Sequence, residues 1–121
     1  MKNIYFLIII ILVLSSFSAC NREKHVKFEV TGTAQEIRIY WKCPLEGGNY
    51  YVSKFWFDET LPWIRTYKGK KGDFVCLRAT NVDSNIPNGI VNVTIYVDGA
   101  LFKTSSCQGT NNQAQVSGTI E

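Results

Sequence analysis

The sequence contains one histidine, three prolines and no segment in which apolar residues recur with a helical period. The single histidine, His25, falls on the outward side of a predicted N-terminal strand, where a preorganised Ser-His or Cys-His pair is not expected. The carboxylates are scattered over turns and outward positions, so no acid pair of the glycosidase type is indicated. These absences predict a protein that is not an enzyme.

The sequence also has no cysteine spacing typical of a metal site and no large net charge. Its four cysteines are not spaced like zinc ligands, so no metal or other cofactor is expected. The formal net charge is +3 and falls to +2 if the N-terminal leader takes Lys2 with it, because 12 basic residues then oppose 10 acidic ones. A charge this small argues against a nucleic-acid partner.

The first 19 residues are strongly apolar and are predicted to form a secretory signal peptide. Lys2 supplies the positive start, residues 4–14 form an uninterrupted apolar run, and residues 15–19 are mostly small. As a helix this run covers roughly 17 Å, against roughly 30 Å for the hydrocarbon core of a bilayer. The run is therefore too short for a transmembrane span.

The end of the leader, Phe17-Ser18-Ala19-Cys20, resembles the lipobox of bacterial lipoproteins. The resemblance implies that the sulfur of Cys20 carries a diacylglycerol and that residues 20–24 tether the chain to a membrane, since each buried methylene contributes about 0.8 kcal/mol. Asn21 stands where an aspartate commonly marks inner-membrane retention, which favours the outer membrane of the cell envelope. The alternative is a conventional signal peptide cleaved after Ala19, with Cys20 incidental.

Residues 25–121 consist of short runs in which apolar and polar side chains alternate, and they predict one all-β domain. Residues 68–72 hold three lysines and two glycines and are expected to be a turn. Seven or eight strands at this spacing are typical of an immunoglobulin-like antiparallel β-sandwich. Strands are expected over residues 25–31, 36–42, 50–57, 61–67, 73–80, 90–97, 100–106 and 113–120.

Asp98-Gly99 between two alternating runs predicts a hairpin with a two-residue turn. In that register Ile95 lies opposite Phe102, and Cys107 falls outside the core. Cys76 is also outward because its immediate neighbours point inward, so a Cys76–Cys107 disulfide is predicted, which would contribute on the order of 3–4 kcal/mol. The alternative is that Cys43, Cys76 and Cys107 remain reduced and pack as small hydrophobes.

Two features indicate a ligand or partner surface. The first is an aromatic run near the middle of the chain; because a strand has two faces, one of two sets should be exposed and suit sugar stacking, a partner or a lipid boundary. These sets are Tyr51, Phe55 and Phe57, or Tyr50, Val52 and Trp56.

The second feature is a basic cluster at an expected hairpin tip, which suits an acidic glycan or lipid headgroup. It comprises Arg65, Lys68, Lys70 and Lys71. The alternatives are aromatics covered on both faces and a merely soluble turn.

Three short motifs resemble the extracytoplasmic domain of the MmpS proteins and of small Bacteroidota lipoproteins. They are Val26-Lys27-Phe28-Glu29-Val30-Thr31-Gly32, Leu61-Pro62-Trp63 and Ile95-Tyr96-Val97-Asp98-Gly99. The resemblance implies an immunoglobulin-like sandwich without catalytic residues that assists a transporter. We therefore expect a membrane-anchored lipoprotein that acts as a binding or accessory module beside an envelope protein. The alternative is a carbohydrate- or lipid-binding module that uses exposed strand aromatics.

Overall fold

A computed structural model describes residues 22–44, the backbone of residues 51–56, and residues 61–121. These segments form eight strands, and none of them is helical. The strands make two antiparallel four-stranded sheets, so the predicted all-β sandwich is confirmed. Their bounds are β1 Glu23–Gly32, β2 Ile37–Pro44, β3 Tyr51–Trp56, β4 Trp63–Lys70, β5 Phe74–Asn81, β6 Ile90–Val97, β7 Ala100–Gln108 and β8 Gln113–Thr119.

One sheet has the strand order β4-β1-β6-β7 and is here called the β1 sheet; the other has the order β3-β2-β5-β8 and is called the β2 sheet. The chain crosses between the sheets after β1, β3, β4, β5 and β7. Within the sheets, β1 pairs with β4 and β2 pairs with β5. These are the pairings of the four central strands of an immunoglobulin domain. The hairpin β6–β7 lies on the other side of β1, where such domains place their first strand.

The core lies between the sheets because each strand alternates apolar and polar residues. In β1, Phe28 is buried while its neighbours are not, and Ile39 in β2 is buried in the same way. Leu77 in β5 is fully buried, and its neighbour Cys76, on the outer side of the sheet, is also buried. Trp41 in β2 meets Trp63 in β4 across the sandwich, with ring centroids 5.0 Å apart. The inward and outward positions predicted for β1, β2 and β5 are therefore confirmed.

The register predicted for the β6–β7 hairpin is wrong beyond its first two pairs. Tyr96 lies opposite Leu101, but a β-bulge then shifts the pairing, so that Ile95 lies opposite Lys103 rather than Phe102. Phe102 packs against the core, and a Cβ added at Gly118 of β8 would lie 3.0 Å from its ring. A bulge inserts one residue and reverses the parity of everything that follows it in the strand.

The edge strands β4 and β7 each carry a cation on the side that faces the core. Lys103 pairs with the buried Ile95, and Arg65 pairs with the buried Phe28, yet both cations are exposed because they lie at the margin of the sheet. Inward charges and bulges on edge strands discourage pairing with another chain. β4 continues to Lys70, so the turn expected over residues 68–72 is shorter and includes residues 71 and 72. The expected hairpin tip is wrong, because β4 and β5 belong to different sheets.

Candidate functional site

The basic cluster predicted from the sequence is divided by the fold. Arg65 lies on the core-facing side of β4, with its guanidinium carbon 5.4 Å from the Trp63 ring. Lys68 and Lys70 lie on the outer side of the same strand, opposite His25 and Glu23 of β1. Lys71 follows in the turn after β4. The structure therefore brings Lys68, Lys70 and Lys71 to one region and leaves Arg65 apart from them.

An open groove of about 660 Å³ lies across the outer face of the β1 sheet, beside the start of β1. Three neighbouring strands supply its walls because Lys27 of β1 pairs with Thr66 of β4 on one side and with Tyr96 of β6 on the other. The turn between β6 and β7 closes one end at Gly99. The main lining side chains are His25, Lys27, Thr66, Lys68 and Tyr96.

Hydrogen bonds fix the end of this groove. The backbone N–H of His25 donates to Asp98 Oδ1 at 2.9 Å, and the N–H of Asp98 donates to the carbonyl of His25 at 2.8 Å. The hydrogen bond from His25 lowers the pKa of Asp98, and the nearby charges of Lys24 and Arg22 lower it further. Lys24 Nζ lies 3.6 Å from Asp98 Oδ2. The hairpin turn is thus tied directly to the start of β1.

The groove combines an aromatic ring with cationic and hydroxyl groups. Lys27 Nζ lies 4.6 Å from the centre of the Tyr96 ring and 3.4 Å from Glu29 Oε2, so its position is set from two sides. Lys68 and Thr66 line the opposite wall. Amines, hydroxyls and a ring edge bind anionic or hydroxyl-rich groups well, because each offers a hydrogen-bond donor or a stacking surface.

The structure does not bring Cys76 and Cys107 together. The bulge turns Cys107 towards the core, opposite the buried Val91, whereas Cys76 lies on the outer side of the β2 sheet opposite Lys42. Both are free thiols, so the predicted disulfide is corrected by the same register shift that moved Cys107.

Burial raises the pKa of all three described cysteines. The pKa of Cys43 rises to about 11, chiefly because the thiol is buried and secondly because of the negative charge of Asp73. The pKa of Cys76 rises through burial, although Arg78 opposes the rise, and the pKa of Cys107 rises through burial alone. A raised pKa keeps these groups as thiols at neutral pH, where the thiolate would be the reactive form.

Several predicted site residues lie outside what the structure describes. Cys20 and Tyr50 are not among the described residues, and Tyr51 and Trp56 are described only as backbone within β3. The exposure of the aromatic run therefore stays a prediction. Among the described residues, no group of three or more His, Cys, Asp or Glu side chains is placed to hold a metal ion.

Sequence reasoning missed the groove, although its signal was present. The same alternation that places Ile95 in the core places Tyr96 on the outer face, where β1 brings Lys27 beside it. The pairing of β1 with both β4 and β6 could not be read from local alternation, and it is this pairing that assembles the walls.

In the part of the chain that the structure describes, no helix is long and apolar enough to cross a membrane. No protein-family model matches the sequence, and no curated protein matches it.

Proposed function

We propose that this protein is a lipid-anchored module of the bacterial cell envelope that binds a ligand or partner without catalysis. The observation that carries the proposal is the groove on the outer face of the β1 sheet, because it gathers amine, hydroxyl and aromatic groups from three adjacent strands. A rigid sheet that presents such groups is a good scaffold for binding, since little conformational entropy is lost when the ligand arrives.

The proposed anchor lies close to the groove along the chain. Two residues, Asn21 and Arg22, separate Cys20 from Glu23, where β1 begins, so three Cα–Cα steps span at most about 10 Å. A lipid on Cys20 would therefore hold this end of the sandwich near the membrane surface. The leader and the lipobox-like sequence support the anchor, and the outer membrane is favoured by Asn21.

An envelope protein is the favoured partner, and the MmpS-like motifs favour a transport complex. The alternative is a carbohydrate or lipid ligand that uses aromatic side chains. Tyr96 favours this second class, because its ring lies half-buried in the groove wall beside Lys27. Tyr51 and Trp56 of β3 stay candidates for the same role on the other sheet.

The groove can be tested by photocrosslinking in cells. A photoreactive phenylalanine analogue in place of Thr66 should form an adduct, because Thr66 lines the groove. The same analogue in place of Gln115, which is exposed on the β2 sheet, is the matched control. Mass spectrometry of the adduct distinguishes a protein partner from a glycan or lipid.

An adduct at residue 66 that is absent at residue 115 and is lost with Tyr96→Ala supports the groove. Equal adducts at both positions, or none at residue 66, would overturn the groove as the binding site. The anchor is tested separately, since Cys20→Ser should release the chain from membranes while leaving the sandwich folded. Persistence of that variant in the membrane fraction contradicts the lipid anchor.

A further inference from the structure

The end of the sandwich where β1 begins carries much of the positive charge of the described residues; we call it the anchor end. It consists of the start of β1, the end of β4 with the turn that follows, and the turn between β6 and β7. The pairing of Glu23 with Lys70 and the hydrogen bonds between His25 and Asp98 bring these segments together. Its cations are Arg22, Lys24, Lys68, Lys70 and Lys71.

Of the three carboxylates in these segments, Glu23 is exposed opposite Lys70, and the other two, Asp98 and Asp73, are already engaged. Asp98 accepts the backbone N–H of His25 and pairs with Lys24. Asp73 is buried, and its Oδ2 accepts the backbone N–H of Lys70 at 2.9 Å. No ion pair joins Lys68, Lys70 or Lys71 to a carboxylate within the described segments, and all three side chains are exposed.

The opposite end of the sandwich, here called the far end, has a different composition. It includes residues 31–36, 81–90 and 108–113, which connect the strands there, and these contain no lysine and no arginine. Positive charge is thus concentrated towards the end that the chain reaches three residues after Cys20.

We propose that the anchor end binds the headgroups of anionic phospholipids and so orients the sandwich with its far end away from the membrane. This inference rests on the proposed anchor at Cys20. Charge complementarity supports it, because exposed lysines near an anionic leaflet each strengthen association about fivefold. Leu101, which is 61% exposed just after the β6–β7 turn, adds an apolar contact at the same end.

The short distance between Cys20 and the start of β1 makes the lipid surface the expected partner of these lysines. The tether of about 10 Å is comparable to the Debye length of about 8 Å at physiological salt, so screening weakens the attraction between these lysines and the headgroups without removing it. Lys103 provides an internal reference, since its partner Ile95 lies opposite Phe28, about 17 Å along β1 from Glu23.

The test uses the full lipidated protein, purified and reconstituted into vesicles of phosphatidylcholine alone or of phosphatidylcholine mixed with phosphatidylglycerol. A membrane-impermeant amine reagent labels exposed lysines, and peptide mass spectrometry reports each site. We expect labelling of Lys68, Lys70 and Lys71 to be about fivefold lower on the anionic vesicles. Labelling of Lys103 should stay the same, and high salt should remove the difference.

The double variant Lys70→Gln/Lys71→Gln should strongly reduce the dependence of Lys68 labelling on phosphatidylglycerol, because two of the five cations of the anchor end are removed. The matched control Arg38→Gln/Arg78→Gln removes the same charge from the outer face of the β2 sheet and should keep that dependence. Equal labelling on both kinds of vesicle, or an equal loss of dependence in the control, overturns the proposed headgroup contact.

Flotation of the same samples separates this inference from the anchor. Flotation with phosphatidylcholine vesicles that Cys20→Ser abolishes supports the anchor, whatever the lysines do. A chain that floats with both kinds of vesicle but shows no lysine protection retains its anchor and contradicts the headgroup contact. A chain that floats only with anionic vesicles contradicts the anchor and supports the lysine contact. Flotation with neither rejects both.

Discussion

The two ends of the sandwich differ in where their polar side chains lie. At the anchor end, short turns project lysines into solvent, and the contacts that organise it are an ion pair and backbone hydrogen bonds at the surface. At the far end, polar side chains are buried instead: Asn81 is 0% exposed and Asp83 is 2% exposed. Asp73 is also buried at the anchor end, where it accepts the backbone N–H of Lys70. The comparison therefore shows a difference of degree: polar residues act mainly as a charged surface at the anchor end and mainly as internal braces at the far end.

The braces at the far end join two loops. Asn81 Oδ1 accepts the backbone N–H of Asp83 at 2.9 Å, and Asp83 Oδ1 accepts that of Asn85 at 2.8 Å. Thr110, in the turn between β7 and β8, donates its hydroxyl to the carbonyl of Asp83 at 2.8 Å. The N–H of Asn111 donates to the carbonyl of Asn81 at 2.7 Å. A buried network of this kind rigidifies its surroundings only while every member is satisfied.

A pair of glycines gives the largest expected difference between the two ends. Both have a positive φ, 138° for Gly32 at the far end and 94° for Gly72 at the anchor end. A Cβ at Gly32 would overlap the backbone carbonyl of Ile90, whereas a Cβ at Gly72 would meet no atom within 4 Å. We expect Gly32→Ala to lower the free energy of unfolding by about 3–5 kcal/mol and Gly72→Ala by about 1–2 kcal/mol.

Urea unfolding followed by tryptophan fluorescence measures both values. Gly72→Ala is the control for the cost of a positive φ without a steric clash, since a Cβ at Gly72 meets no atom within 4 Å. Equal losses in the two variants would mean that the far end yields as easily as the anchor end, and the contrast drawn between them would then be wrong.

The second expected effect concerns the buried amide. Asn81→Ala removes the acceptor of the Asp83 N–H and the donor that reaches the carbonyl of Gly89 at 3.5 Å. Buried groups left without partners make this change costly, and we expect a loss of about 2–3 kcal/mol in the free energy of unfolding.

Asn85→Ala is its matched control, since Asn85 is exposed and takes part in the network through its backbone N–H. We expect this variant to stay within about 0.5 kcal/mol of the wild type. Hydrogen exchange should quicken in residues 81–90 of the Asn81 variant alone. Unchanged exchange in both variants would show that the network does not brace the loops.

The sequence predicted the core more completely than it predicted either end. Alternation in β1, β2 and β5 placed Phe28, Ile39 and Leu77 inward because burial of one face of a strand depends only on local order. It did not reveal Asn81 as a buried residue, since a polar loop residue becomes internal only when a second loop covers it. That cover comes from the β7–β8 turn, about 30 residues later in the chain.

The predicted register of β7 was wrong for a similar reason. A two-residue turn predicts regular pairing, and the first pairs follow it. The bulge places Phe102 against Gly118 of the other sheet, a tertiary contact that no local pattern contains. The basic cluster was predicted as residues, but its division between the two sides of β4 was not, because β4 continues to Lys70 where a turn was expected.

The smallest expected effect tests how weakly charge stabilises the anchor end. The pKa of Asp98 is lowered, first by the hydrogen bond from the His25 N–H, so folding favours its charged form. Its contribution to stability is therefore complete above the ordinary carboxyl pKa of about 4 and is lost as the pH falls through the lower pKa of the folded state. Asp98→Asn keeps an acceptor and suits a φ of 50° while it removes the charge.

We expect the melting temperature of Asp98→Asn to lie slightly below that of the wild type at pH 7 and to equal it at strongly acidic pH, where Asp98 is protonated. Lys24→Gln is the control, because it removes the ion pair but leaves the hydrogen bond that chiefly lowers the pKa, so most of the wild-type pH dependence should remain. A gap that stays constant at all pH values would show that the charge of Asp98 does not stabilise the anchor end. A gap as large as that of Asn81→Ala would show that surface charge at one end matters as much as the buried amide does at the other.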